Sequence, residues 1–490
     1  MTRPIPTIFR RDAFIDGKFR EATLGARLPT ENPATGRLIA EVAACDAPDI
    51  NEAVRAGRRA FEDGRWSKQS PSNRKQVLLR FADAIEANST ELATLESLDA
   101  GKPISDCLSF DLPDTVKTFR WYAEATDKIF DAIAPTGPEA LALIQSEPVG
   151  VVGAVLPWNF PLAMAAWKAA PALAAGNSLV IKPAELTSLS AIRLAEIGAA
   201  AGIPDGVLNV VPGYGETAGQ ALGRHPDVDV VSFTGSTEVG RMFLRYSAES
   251  NLKRVVLECG GKSPQIVLAD TPDLDIVARE VLTAGYMNMG ENCTCGSRLL
   301  VHRSVREQLL ERVVQLTQEW VVGDPLDPLT KVGPMIERDH LNKVLGYIDA
   351  GRAEGARVVV GGSRTLTETG GHFVSPTIFD GVDNSMRIAR EEIFGPVIST
   401  IPFDTEEEAV AIANDTAYGL AASVWTSNVD AAIRVSRAIR AGTVSVNAYS
   451  EGDITTPFGG FKQSGFGGRD KGREAFDQYT EKKTIWIVVR

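Results

Sequence analysis

Two side chains stand where covalent chemistry could be done. Cys293 sits in the run YMNMGENCTCGSR, Tyr286 to Arg298, a loop supplied with glycine. Thirty-five residues upstream, in LECGGKSP, Glu258 follows a β-branched run and precedes Gly260 and Gly261. A thiol attacks as the thiolate, and a carboxylate can take protons from the thiol or from a water, so the two are the parts of covalent catalysis with a general base. Cys295, two residues on, makes a C-x-C with Cys293. With four histidines in the chain and no second cysteine pair at zinc spacing, no metal is expected there.

Such residues need a frame. From about residue 150 apolar strands alternate with amphipathic helices: VGVVGAVLP, the Ala-rich MAAWKAAPALAAG, NSLVIKP, a helix near Ala191 to Ala201, and VLNVVPG. VDVVSFTG, a helix from Glu238 and KRVVLECGG follow. Short apolar strands separated by helices of about 10–15 residues predict a parallel, doubly wound sheet, which binds nucleotides at its strand ends. The pattern resumes from Ser263 to about Val446 through SPQIVLA, SRLLVH and GTVSVNA, so a second α/β unit is expected. ALALIQSEPVG, Ala140 to Gly150, and KKTIWIVV near the C-terminus read as strands without a neighbouring helix. Exposed strands seek a partner edge, on another subunit or as a flap on the same one.

At 490 residues the chain exceeds one core, and roughly two to four domains are expected. A formal charge of -12 argues against nucleic acid and anionic membranes as partners, since phosphate binding needs clustered Lys and Arg. No window approaches a membrane span, and MTRPIPTIFRRDAF lacks a signal-peptide core, so a cytoplasmic location is expected. Five scattered cysteines do not make a disulfide framework.

With PWNFP, KPAE, FTGSTEVG and EEIFGPV also present in order, the sequence resembles the NAD(P)-dependent aldehyde dehydrogenase superfamily over nearly its whole length. The resemblance implies two doubly wound α/β domains and a small β oligomerisation domain. Residues 1–125 and 147–258 would bind NAD, 259–470 would carry catalysis, and 126–146 with 471–490 would join subunits into a homodimer or homotetramer. It implies that an aldehyde becomes an acid through a thiohemiacetal and a thioester on Cys293, which aligns with the family nucleophile through Asn288, Gly290 and Arg298. Asn159 in PWNFP would point its amide, with the Cys293 N–H, at the oxyanion, and Glu258 would activate the deacylating water. One departure is Glu291, where most members have Gln; a charge there disfavours a thiolate unless solvated or paired.

On the cofactor side no convincing G-x-G-x-x-G follows the first strand. Instead Gly235 frees a turn after VDVVSF, and Ser236 or Thr237 can cap a helix whose N-terminal N–H groups face a pyrophosphate. Lys182 and Glu185 follow the strand NSLVI, and the resemblance places both on the adenosine ribose. A carboxylate there accepts from ribose hydroxyls and repels a 2′-phosphate, so NAD is expected over NADP. Glu392 and Phe394 match contacts to the nicotinamide ribose and ring, with Pro157 and Trp158 also on that side.

TFRWYAEATDKIF and NAYSEGDITTPFGGFKQSGFGGRDK look closest to the γ-glutamyl-γ-aminobutyraldehyde or ω-aminoaldehyde dehydrogenase branch. Asp111 and Asp114 resemble an acidic pair that holds a cationic tail; alternatively Asp111 caps a helix beginning near Leu112 and Asp114 favours its first turn. Glu451 and Asp453 fall in the expected tunnel loop, above apolar walls from Phe160, Met164 and Trp167. A 4-(γ-glutamylamino)butanal-like or other ω-aminoaldehyde is the expected substrate, with a broad-specificity, betaine-type or semialdehyde-type enzyme as the alternative. A CoA-acylating enzyme would need no base, and a non-catalytic relative would have lost Cys293, Glu258 or Asn159. Cys295 has no family match; it is a neighbour, or a trap for oxidised Cys293.

Overall fold

The computed structural model describes residues 9–490; the N-terminal stretch read as lacking a signal-peptide core begins outside them. Among the described residues no helix is long and apolar enough to cross a membrane. The first sheet has eight strands, and its centre is five parallel ones in the spatial order Arg254–Glu258, Val230–Thr234, Val151–Val155, Ser178–Lys182 and Leu208–Val210. The chain enters at Val151–Val155, winds outward through two strands, and returns to the other side at Val230–Thr234. Strand order therefore reverses between Val151–Val155 and Val230–Thr234, and the connections leaving their carboxyl ends part to open a crevice.

Val151–Val155, Ser178–Lys182 and Val230–Thr234 are buried at every residue, as apolar runs covered on both faces should be. The Ala-rich segment is the helix Pro161–Ala175, buried at every position and ended by left-handed Gly176. The sheet also takes pieces from far along the chain: the hairpin Ala13–Ile15 with Lys18–Arg20 at one edge, and Gly465–Phe466 against Arg254–Glu258 at the other. Gly465–Phe466 comes from the stretch that the resemblance assigned to catalysis, so that stretch returns to the nucleotide-binding sheet.

The second sheet runs Arg357–Val360, Thr377–Asp380, Val397–Phe403, Arg298–His302, Pro264–Val267, Ala421–Trp425 and Thr443–Val446, parallel except for its first strand. A third, antiparallel sheet joins Ala132–Ala134, Ala140–Pro148 and Thr480–Val488. The two helix-free strands thus pair with each other, and Ala140–Pro148 runs two residues past the expected boundary at 146. Trp486 and Val488 stand 61% and 62% exposed, with Phe130 and Ile133 also open, so this sheet leaves apolar surface uncovered.

Candidate active site

One cavity of about 700 Å³ follows the carboxyl ends of the central strands, touching Val155, Lys182, Thr234 and Glu258, and reaches Cys293. The loop that carries Cys293 begins where the helix Leu274–Tyr286 stops. Asn288, Met289 and Gly290 follow with φ of 52°, 59° and 69°, three left-handed residues in succession of which two carry side chains. Such strain persists only where neighbours hold it, and it clusters at functional sites. Here the Asn288 amide donates to the carbonyls of Asn159 (3.0 Å) and Glu291 (2.9 Å).

The Gly pair after Glu258 has a steric reason. A Cβ on Gly261 would lie 2.4 Å from the Cys293 carbonyl oxygen, and one on Gly260 would strike the Glu392 carboxylate at 2.0 Å. Only glycine lets the strand end carrying Glu258, the thiol loop and Glu392 converge. Glu258 is buried, and among the described residues no side chain donates to either oxygen. Burial pushes its carboxyl well above the ordinary range and Asp470 adds to this, while Lys168 and Arg469 pull it down. The Cys293 thiol, part-exposed to the cavity but deep in the protein, is likewise pushed well up by burial and then by Glu451, Glu392 and Glu258. Its resting form is the thiol, which must pass a proton on to react. Asn159 spends one amide hydrogen on the Glu291 carbonyl at 2.9 Å and, lining the cavity, keeps the other. Glu291 turns its carboxyl away from the thiol, accepting from the Ile336 N–H at 3.0 Å.

In the cofactor arm Lys182 Nζ meets Glu185 Oε2 at 2.7 Å. Of the two candidate caps, Ser236 is the one used: it accepts from Val239 N at 3.2 Å and starts the helix Thr237–Ala248, whose first turn faces the cavity. Gly235 lies against the Phe233 ring, which a Cβ would meet at 2.5 Å, and the buried Thr234 hydroxyl at the strand end has no partner. Glu392 accepts from Gly261 N at 3.0 Å and is pushed up to about 7 by burial. Phe394, itself left-handed at φ 60°, packs edge-on against Trp158 at 5.2 Å, and Pro157 completes that wall. Carboxylates and hydroxyls for ribose, a helix N-terminus for phosphate and apolar walls for rings are the groups a dinucleotide requires.

A second arm of the cavity brings together Phe160, Met164 and Trp167, read from the sequence as apolar walls, with Phe110 and Phe458. Asp114 lines it and accepts the Trp167 indole N–H at 2.7 Å. Glu451 lines it too, tied to Thr294 and Asn292 on either side of Cys293. Asp111 does not reach the cavity. It closes a π-turn, Cys107–Asp111, that runs unbroken into the helix Leu112–Ala125, so its side chain does not cap that helix, and although it stands one turn before Asp114 its carboxylate goes elsewhere. Both its oxygens instead take Lys102 Nζ at 2.9 Å in a pair only 1% exposed, because a buried ammonium requires a counter-charge. Asp453 is also outside, on the surface, paired with Lys117 and bonded to Thr455.

The sequence reading passed over Lys168 and Asp470, a fully buried pair at 3.1 Å whose charges act on Glu258. Lys168 gave a usable signal, as the single cation in an Ala-rich buried helix. Tyr449, which bonds Thr294 at 2.7 Å, and Phe458 lay inside a quoted stretch without being singled out. His340, 2.6 Å from the Phe394 carbonyl, carried no sequence signal.

The family model described as the aldehyde dehydrogenase family matches residues 19–485. An aminoacetaldehyde dehydrogenase of Pseudomonas aeruginosa is 58% identical over 475 residues, 97% of this chain and 95% of its own length. Among solved structures, an indole-3-acetaldehyde dehydrogenase of P. syringae, in complex with NAD+ and IAA, superposes with a TM-score of 0.97 at 54% identity, covering 98% of this chain and 97% of that one. A gamma-glutamyl-gamma-aminobutyraldehyde dehydrogenase of Burkholderia cenocepacia gives 0.97 at 52% identity, with 99% and 97% covered.

Proposed function

The chain belongs to the aldehyde dehydrogenase family, and from that premise we propose that it oxidises ω-aminoaldehydes to ω-amino acids, with NAD as hydride acceptor. The observation that carries this reading is the single cavity, in which Cys293, Glu258 and Asn159 stand between a dinucleotide arm and an acid-flanked apolar arm.

Cys293 Sγ bonds to the aldehyde carbon as its proton passes to Glu258, and the oxygen takes the charge. The free Asn159 N–H and the Cys293 backbone N–H stabilise that oxyanion, a contribution of roughly 3–4 kcal/mol per donor. NAD, when bound, supplies the acceptor for the hydride that leaves the carbon. Glu258 releases the thiol proton to solvent and, as the carboxylate again, draws a proton from water as the water oxygen attacks the thioester; the C–S bond breaks and Glu258 passes that proton to the leaving sulfur, restoring the thiol. Glu258 suits this role because burial makes its carboxylate a stronger base.

Substrate class rests on Asp114 and Glu451 at an otherwise apolar arm, an arrangement for a short carbon chain ending in an ammonium. The names of the P. aeruginosa and B. cenocepacia relatives agree with it. Glu185 beside Lys182 supports NAD over NADP. The uncovered third sheet and the half-buried edge strand Thr443–Val446 support a homo-oligomer in which one seats on the other. All five cysteines are free, which suits a reducing compartment such as the cytoplasm.

The test is NADH formation from aminoaldehydes and from neutral aldehydes of equal length, aromatic ones included, with and without CoA. Higher kcat/KM for the aminoaldehydes without CoA is expected. A clear preference for the neutral set would sink the substrate assignment, and a requirement for CoA would sink the hydrolytic mechanism.

A further inference from the structure

Glu291 departs from the family's usual Gln, and its position gives the departure a consequence. Its carbonyl accepts from both Asn159 and Asn288 at 2.9 Å, so it holds the oxyanion donor and the strained turn together. Its carboxyl leaves in another direction, accepting from Ile336 N at 3.0 Å and lying 3.5 Å from His340 Nε2. His340 Nε2 in turn stands 2.6 Å from the Phe394 carbonyl, and the rings of His340 and Phe394 both pack on Trp158, at 5.4 and 5.2 Å. Backbone and side chain of one buried residue thus connect the nucleophile loop to the wall of the cofactor arm.

We propose that Glu291 is a positioning residue that fixes Asn159 and the turn before Cys293 to the Ile336–His340 segment, setting nucleophile and oxyanion donor in register with the cofactor wall. The proposal rests on the chemistry assigned to Cys293 above. Burial holds the carboxyl well above the ordinary range; of the groups facing it, Lys102 and the Ile336 N–H pull it down and Glu337 pushes it up. His340, pushed down to about 4 by burial, is neutral and offers one N–H, given to Phe394. Burial thus favours the neutral acid beside a neutral imidazole, and the contact that ties the carboxyl to this segment is the hydrogen bond it accepts from the Ile336 N–H. Raising the pH would ionise Glu291 and leave a buried charge two residues from the nucleophile. Gln keeps the acceptor and cannot ionise.

Glu291→Gln and Glu291→Ala in the full chain test this, with kcat and KM measured across pH and with iodoacetamide alkylation of Cys293 located by mass. Glu291→Gln should keep kcat near wild type at neutral pH and hold it at alkaline pH where wild type falls. Glu291→Ala should lose kcat by on the order of tenfold to a thousandfold, the range for a displaced oxyanion donor, with little change in aldehyde KM and an altered alkylation rate. A Glu291→Ala enzyme with wild-type kcat and alkylation would overturn the proposal, as would a Glu291→Gln enzyme impaired at neutral pH. Should Glu291→Ala fail to fold, the Glu291→Gln profile decides, and one superposing on wild type across pH refutes it. If wild type makes no NADH from any aldehyde, the assigned reaction fails, while alkylation still tests the placement of the thiol.

Discussion

Replacing Glu258 by Gln separates the two halves of the proposed reaction. The amide fills the same space beside Gly459, where a Cβ would lie 2.6 Å from Glu258 Oε1, but it cannot take a proton. General-base assistance contributes about 10²–10⁴-fold, so steady-state turnover should fall by that factor, roughly 3–5 kcal/mol in barrier. Thioester formation also passes the thiol proton to Glu258, but Cys293 lines the cavity and solvent there can take that proton in the variant, so acylation should slow less than deacylation. Rapid mixing should therefore show a burst approaching one NADH per active subunit, then a slow phase. Stability supplies a second readout with a defined sign. Folded Glu258 keeps a proton that the unfolded chain releases above its ordinary 4.5, so the native state binds more protons and stability declines as pH rises through the elevated folded value. Gln removes that decline. The variant should melt with wild type near pH 4 and above it as pH increases, a gain in stability that accompanies the loss of function. A burst lost together with the steady rate would show that acylation depends on Glu258 as fully as deacylation does, and a melting difference independent of pH would refute the buried-carboxyl argument.

Cys293→Ser should abolish turnover, while Cys295→Ser stays near wild type, because Cys295 is buried away from the cavity that Cys293 lines and its Sγ lies 3.6 Å from the Gly285 carbonyl; the reverse pattern in an NADH assay would move the nucleophile. Asp114→Asn keeps an acceptor for Trp167 and removes the charge, so kcat/KM for aminoaldehydes should drop by roughly 10- to 150-fold, equivalent to about 1.5–3 kcal/mol, with neutral aldehydes of equal length little affected. Unchanged selectivity would end its role as the cation's partner. Glu185→Gln should narrow the preference for NAD, read as the ratio of kcat/KM for the two cofactors; a wild type that already uses NADP tenfold better would contradict the repulsion argument.

What could be read along the chain was whatever depends on local period and motif order. The strand runs VGVVGAV, SLVIK and VVSFT appear as buried parallel strands because burial on both faces leaves an uninterrupted apolar text. Motif order brought Cys293, Glu258, Asn159 and the cofactor-side residues to one cavity. Partner choice was not legible. Asp111 and Asp114 are three apart in helical backbone, yet Asp111 gives its carboxylate to the buried Lys102 while Asp114 lines the cavity. Asp453 likewise was read by its place in a loop, whereas Lys117, more than 300 residues earlier, claims it.

The same physics points to a remedy for the charged residues. Lys102 and Lys168 stand in text that folds into the core, where an ammonium is tolerated only with a carboxylate against it, so each implied an acid that could not also serve a ligand. Matching those two cations first removes Asp111 and Asp470 from the pool of carboxylates free to bind substrate. Among the described residues Asp114 and Glu451 have no salt-bridge partner at the apolar arm: Asp114 accepts a neutral indole N–H, and Glu451 a neutral hydroxyl and amide. The charge each keeps is what a cationic substrate tail would use, and this is why the selectivity experiment belongs at Asp114 and not at Asp111.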